Sequence, residues 1–341
     1  MTTQLYWLYD RHGKPRFLAF SDYGRFVSSM AQSGVIGFGE KCWLQIQKIY
    51  PKHDVSDRIY RNGWEKLNQM LDTPIQDALF VRTDYSKPTL YEGFFATEDR
   101  VLSLIAHRHV DDAIMAVHQA NFMQYYFQAY FTIIKPVKQD DNLVVYPVIQ
   151  ERPLPYKITD ISRVVYTMSA HYSTLYRDHT KPALDYVHLN LPSLLHQHGQ
   201  IALWKDVRAV LDRLPPLCSV PMHGQMTLRH ITGGDHNLPV LSRYERAGWH
   251  VPFYDWLHLQ CDMALAKGKN PHIDQFMQTL KDKSDLSTDH VLAITLLYLL
   301  DQIAHDLQDK DDFKEYAPMI DKRLGYFMRW VAQLCQGTAQ S

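Results

Sequence analysis

Cysteine is scarce in this chain. Cys42, Cys218, Cys261 and Cys335 are the whole complement, and no two of them form a C-x-x-C pair. That spacing excludes a zinc knuckle and a thioredoxin-like redox motif, and it points to buried thiols in a reducing compartment. Long apolar runs are also missing. The longest, from Val291 to Leu300, is about half of what a bilayer-spanning helix needs. The start, Met1-Thr2-Thr3-Gln4, lacks the basic and then apolar regions of a secretory signal, so the expectation is a cytoplasmic protein. Charge of either sign is balanced: the net charge of -1 gives no field that would gather nucleic acid or an anionic membrane. No G-x-S-x-G elbow and no H-E-x-x-H helix occurs, which removes the commonest hydrolase and zinc-protease signatures. The close histidine pairs, His107-x-His109 and His196-x-His198, point about 200° apart on a helix and cannot share a metal there. No metal site is expected.

What remains is an ordinary globular composition, 46% hydrophobic and 21% charged over 341 residues, long enough for two lobes. Leu5–Tyr9 and Arg16–Phe20 flank Asp10-Arg11-His12-Gly13-Lys14, a hairpin signal. Gly34, Gly37 and Gly39 precede the aromatic, β-rich run Cys42–Tyr50. Asp57–Leu71 reads as a helix, and Leu79–Arg82 and Thr89–Phe95 as strands. Thr97 is placed as the N-cap of a helix through Ile105. Asp112–Phe127 reads as helix, and Gln128–Lys135 and Leu143–Ile149 as strands about the Gln139–Asn142 turn. Glu151-Arg152-Pro153-Leu154-Pro155 then breaks the pattern. The boundary is drawn there, with a β-rich lobe over 1–150 and a mainly helical one over 151–341. Helical spacing recurs over Ile158–Tyr176, Ser193–Leu214, Phe253–Lys267, His272–Leu280, a run capped by Ser287, and Asp311–Leu334.

The stretch that organises the second half is His223-Gly224-Gln225-Met226-Thr227-Leu228-Arg229-His230-Ile231. A turn at Gly233–Asn237 follows, then Leu241-Ser242-Arg243-Tyr244-Glu245. It resembles the bacterial lipopolysaccharide-core sugar kinases and the wider aminoglycoside-phosphotransferase branch of the protein-kinase fold. These carry HGD-x-x-x-x-N, or HGR-x-x-x-R-D-I, and then I-D-F/W-E about twenty residues on. The spacing fits and the acids do not: Gln225 stands at the first Asp, His230 at the Asn or Asp, and Arg243 at the metal-binding Asp.

The resemblance spans roughly residues 40–265 and implies an α+β, two-lobed kinase-like fold. It implies that Gly37 and Gly39 lie over nucleotide phosphates, that Gln45 in Trp43-Leu44-Gln45 replaces the strand lysine, and that Glu98 matches the helix Glu that pairs with it. Glu98 reads equally well as a first-turn acid favoured by the helix dipole. Asp255 matches an Asp that opens the next helix as a structural N-terminal cap. Phosphoryl transfer depends on positioning and on magnesium, which wants carboxylate oxygens. Arg243 cannot bind a cation and Gln225 cannot accept a proton. The leading expectation is therefore a pseudokinase with doubtful ATP and magnesium binding, whose partner is a protein or a lipid-linked saccharide. Two other readings stay open. One is an active sugar or lipopolysaccharide-core phosphotransferase with relocated acids, Asp235 or Glu245. The other is a small-molecule or glycan-binding module without chemistry.

Overall fold

The computed structural model describes residues 101–107, 109–148, 158–233, 238–242, 244–267, 269–312 and 317–339. It also describes 4–9, 15–20, 30–32, 41, 53–54, 69–71, 78–82 and 89–97. The chain divides into two compact units, Met1–Pro155 with His230–Glu245, and Tyr156–Arg229 with Arg246–Ser341.

The first unit is built on an eight-stranded sheet in the order β3-β1-β2-β4-β5-β6-β9-β8. Its strands are β1 (Gln4–Tyr9), β2 (Pro15–Phe20), β3 (His53–Asp54), β4 (Ala78–Arg82), β5 (Thr89–Ala96), β6 (Val101–His107), β8 (Lys138–Asp140) and β9 (Leu143–Pro147). Every pairing in it is antiparallel. The expected hairpin is β1–β2, in register from Gln4↔Phe20 to Tyr9↔Pro15. The β8–β9 hairpin closes through Asp141 and Asn142. Asp141 sits there at φ 47, a left-handed geometry that Asp tolerates because its short side chain bonds locally.

Two expectations are corrected here. The segment from Thr97 to Ile105 is not a helix: Val101–His107 is the central strand β6, between β5 and β9. Val101, Leu102, Ser103, Leu104, Ala106 and His107 are all buried, so both faces are covered and no alternation marks the strand. A short, fully buried strand and a buried helix look alike by periodicity. The helix that follows is α1 (Val110–Phe127), packed on β6 and β9 through Ala113, Ala120, Met123 and Phe127. The expected strand Gln128–Lys135 shrinks to β7 (Thr132–Ile133). The helical turn persists instead, with the N–H of Phe131 donating to the Phe127 carbonyl at 2.9 Å, and both rings are buried. β7 runs parallel to β14 (Val240–Leu241), which pairs with β13 (Ile231–Thr232).

The second unit is mainly helical. It holds α2 (Ile158–Leu175), α3 (Leu191–Gln197), α4 (Ile201–Leu211), α5 (Tyr254–Ala266), α6 (Ile273–Lys283), α7 (Thr288–Asp312) and α8 (Ala317–Ala339). Its short strands are β10 (Thr180–Lys181), β11 (Leu217–Cys218), β12 (Val220–Met222) and β15 (Gly248–His250). Ile161, Val165, Met168 and Tyr172 form the buried stripe of α2, which packs on α5. Ser287 caps α7 by accepting the His290 N–H at 3.3 Å. Val291 to Leu300 is buried at every position, the pattern of a helix enclosed by its neighbours. No helix among the described residues is long and apolar enough to cross a membrane.

α7 and α8 are joined by a fork. The Arg323 guanidinium donates through Nε to Asp306 Oδ2 at 2.8 Å and through Nη2 to Oδ1. Asp306 is buried while Arg323 is partly solvated. Arg323→Ala would strand a buried carboxylate and should destabilise by roughly 3 kcal/mol, the low end for buried pairs because one partner meets water. Urea denaturation of Arg323→Ala against Asp306→Leu/Arg323→Met checks this. The paired apolar replacement should recover most of the loss.

Candidate functional site

The loop His223-Gly224-Gln225 follows β12 directly, and β12 is held by β15 in the register Val220↔His250 to Met222↔Gly248. Gly224 has φ +81, and a Cβ there would lie 2.2 Å from the Arg246 carbonyl oxygen and 2.9 Å from His250 Nε2. Only glycine fits, on backbone angle and on space alike. The His223 side chain is fully buried, and its Nδ1 lies 3.4 Å from the Gln225 N–H. Gln225 is half-buried.

Asp255, in the first turn of α5, anchors this loop. Its Oδ2 accepts the His223 N–H at 2.7 Å and its Oδ1 accepts the Gly224 N–H at 2.8 Å. The carboxyl is completely buried. Burial pushes its pKa up to about 7 while the two N–H donors pull it down. The residue is structural, as its position implied, but it does not cap its own helix: α5 has no side-chain cap bond, and its N-cap is Phe253. Phe253 takes the left-handed conformation, φ 60 and ψ 10, an uncommon state for an aromatic residue. Its buried ring lies 5.2 Å from that of Tyr166 on α2.

The later motif positions fall in the first unit. His230 ends a 3-10 turn, Leu228–His230, just before β13. Its carbonyl accepts the Ser242 N–H at 3.0 Å, so the hairpin β13–β14 brings residue 230 beside residue 242. Glu245 lies exposed in the turn after β14, and its carbonyl accepts Gln119 Nε2 at 2.8 Å. Its charge opposes the burial that lowers the His107 pKa and adds to the burial that raises those of Tyr146 and Tyr244. Gly37, Gly39, Gln45, Glu98, Asp235 and Arg243 lie outside the described residues.

His107 was not singled out as a site residue from the sequence. It closes β6 and is 4% exposed, and among the described residues neither ring nitrogen has a hydrogen-bond partner. Its backbone is fixed by Asn142, whose carbonyl accepts the His107 N–H at 2.8 Å and whose Nδ2 donates to the His107 carbonyl at 2.7 Å. Burial lowers its pKa, and the charges of Asp112 and Glu245 oppose that. The signal that could have found it is the order of elements: it ends the strand leading into the long helix α1. Among the described residues no group of three or more His, Cys, Asp or Glu side chains could hold a metal.

No family model matches the sequence, and no curated protein sequence does. Solved structures do match. A putative fructosamine-3-kinase from Haemophilus somnus is similar at TM-score 0.57 and 10% identity, over 80% of this chain and 99% of that one. The choline kinase LicA from Streptococcus pneumoniae is similar at TM-score 0.51 and 11% identity, over 80% and 99%. The GDP complex of an aminoglycoside 2'-phosphotransferase-IIIa mutant is similar at TM-score 0.52 and 12% identity, over 80% and 97%. At 10 to 12% identity these likenesses define the fold. The chain has the protein-kinase-like fold of the aminoglycoside phosphotransferases, with an N-terminal antiparallel sheet and a helical C-terminal region.

Proposed function

We propose that this chain is a pseudokinase: a phosphotransferase homologue that does not transfer phosphate and acts by binding, as an interaction or regulatory protein. One observation carries the reading. The loop keeps its full scaffold, Gly224 and the double Asp255 bond, while Gln225 occupies the proton-accepting position and His230 the metal-binding one. An amide and an imidazole do not suit magnesium, which takes carboxylate oxygens, and the cation Arg243 follows at the second metal position. The residues present do not fit a magnesium ion.

The topology of the first unit supports the same reading. In kinases the phosphate-pairing lysine sits on the strand before the N-lobe helix, and a glycine-rich loop covers the phosphates. Here the strand leading into α1 is β6, which ends in Ala106-His107 and has no lysine among its residues. On this assignment the strand that would carry the lysine is β6 rather than the one expected around Gln45, and no lysine stands on it. The segment between β4 and β5, residues 83–88, has no glycine. By resemblance, we place the protein's pathway in the assembly or modification of lipopolysaccharide or another surface glycan.

A second reading, phosphotransfer with relocated acids, draws on Glu245, whose charge reaches His107 at the end of β6, Tyr146 on β9 and Tyr244 after β14. The two readings separate in one assay. Purified protein should show no magnesium-dependent ATP turnover above background. Its melting temperature in ATP should be the same with and without magnesium, and Arg243→Asp should restore nothing, because catalytic groups act as a unit. Turnover by the natural sequence that disappears in Glu245→Gln would instead establish the relocated-acid enzyme.

The scaffold makes its own prediction. Asp255→Asn turns one acceptor oxygen into a donor facing an N–H, and should cost roughly 2–3 kcal/mol. The Asp255 pKa, about 7 when folded, lies above its ordinary 3.8. Between those values the folded chain holds a proton that the unfolded chain has released, so this group's contribution falls as pH rises from about 4 to about 7. Chemical denaturation across that window should show the slope in the natural protein and not in Asp255→Asn.

A further inference from the structure

A second concavity lies in the helical unit and uses none of the replaced loop positions. It is an open cavity of about 140 Å³, and its lining includes Trp249, His250, Tyr254, Asp301, Asp185 and Lys181. Trp249 stands at its rim, 46% exposed. The Tyr176 ring meets the indole edge-on at 5.1 Å and 89°. An exposed indole held in one orientation is a platform for a flat, partly apolar ligand face.

The polar groups around it mostly accept hydrogen bonds. Asp301 accepts the Tyr254 hydroxyl, and that hydroxyl in turn accepts Gln302 Nε2 at 2.7 Å. A carboxylate has about four acceptor sites, so Asp301 keeps capacity for more donors. His305 lies 3.5 Å from Asp301. Burial, aided by the Arg246 charge, brings its pKa down to about 4, so it is neutral at pH 7 and does not cancel the Asp301 charge. His250 is likewise held neutral by burial. Its Nε2 lies 2.9 Å from the Arg246 carbonyl, so the tautomer that donates there leaves Nδ1 as an acceptor. Asp185 adds a second carboxylate, and Lys181 is the one ammonium among the described lining residues.

A ligand for this cavity must therefore bring several donors. The net local charge decides which kind. Lys181 and Arg246 balance Asp185 and Asp301, with Arg246 near enough to act on both His250 and His305. A free anion meets two carboxylates, and an organic ammonium meets two cations. A neutral, hydroxyl-rich ligand with one apolar face meets neither opposition. We infer that this cavity is a carbohydrate subsite, taking one neutral pyranose ring stacked on Trp249 with its hydroxyls donated to Asp301 and Asp185. The site stands whether or not the chain binds nucleotide.

The test uses the full chain and simple probes: methyl glucoside, methyl galactoside and methyl mannoside, with choline and inorganic phosphate as comparators. Saturation-transfer NMR and tryptophan fluorescence should show millimolar binding of at least one glycoside and none of choline or phosphate. Trp249→Ala should weaken that binding about tenfold or more, and Lys181→Ala should weaken it measurably. Both side chains are exposed, so neither change should unfold the protein, and an unchanged melting temperature confirms that. Glycoside binding that survives Trp249→Ala, binding of choline or phosphate in place of the glycosides, or no binding of any glycoside overturns the assignment.

Discussion

The double bond from Asp255 to the loop after β12 is the constraint on which the candidate site depends. A carboxylate accepting two backbone N–H groups at 2.7 and 2.8 Å in a buried setting fixes two successive peptide planes at once. Each such bond contributes about 1.5–3 kcal/mol when the carboxylate is ionised and about 0.5–1.5 kcal/mol when the carboxyl is neutral. Breaking this pair would leave two buried donors without acceptors. Gly224 completes the constraint, since the Arg246 carbonyl occupies the space a side chain would need. His223 is fully buried, and Gln225 beside it is half-buried. Loop shape and loop chemistry are thus separable. The shape is set by Asp255, Gly224 and the β12–β15 pair, and the chemistry by whatever stands at 225.

That separation explains how much of the site was legible in the sequence. His223-Gly224 and Asp255 could be read because a glycine forced by its backbone angle and an acid opening a helix leave compositional marks. The target of Asp255 could not be read. Its oxygens serve a loop more than thirty residues upstream, a contact with no local periodicity. Phe253 at a positive φ was equally invisible, because nothing about an aromatic residue advertises a left-handed turn. The helices α2, α5 and α7 followed from the spacing of Ile161, Val165 and Met168, from the segment Phe253–Lys267, and from the unbroken run Val291–Leu300, each a pattern carried by one continuous segment.

The strand β6 was misread for the converse reason. Val101-Leu102-Ser103-Leu104 is buried on both faces, so the alternation that identifies a half-buried strand is erased, and Thr97 before it resembles a cap. Only the long-range pairings, Gly93↔Leu104 on one side and Leu104↔Val145 on the other, decide the matter, and pairing partners are not encoded locally. The same misreading hid that a strand, rather than a helix, leads into α1.

The identity of His107 is itself informative about what the first unit can hold. A lysine buried to the degree of His107 would need a counter-charge. Imidazole needs none, because burial lowers its pKa and it stays neutral at pH 7. What remains is the lesser cost of two ring nitrogens without partners among the described residues, rather than that of an uncompensated ion. Asp112 and Glu245 pull the other way, since their charges favour the protonated ring. Burial is the largest of these influences, so the ring stays uncharged. Gln225 is an amide and likewise carries no charge. The fold persists because its stability rests on Asp255, on the buried faces of β6 and α1, and on the enclosed helix α7, and none of these needs a charge at either position.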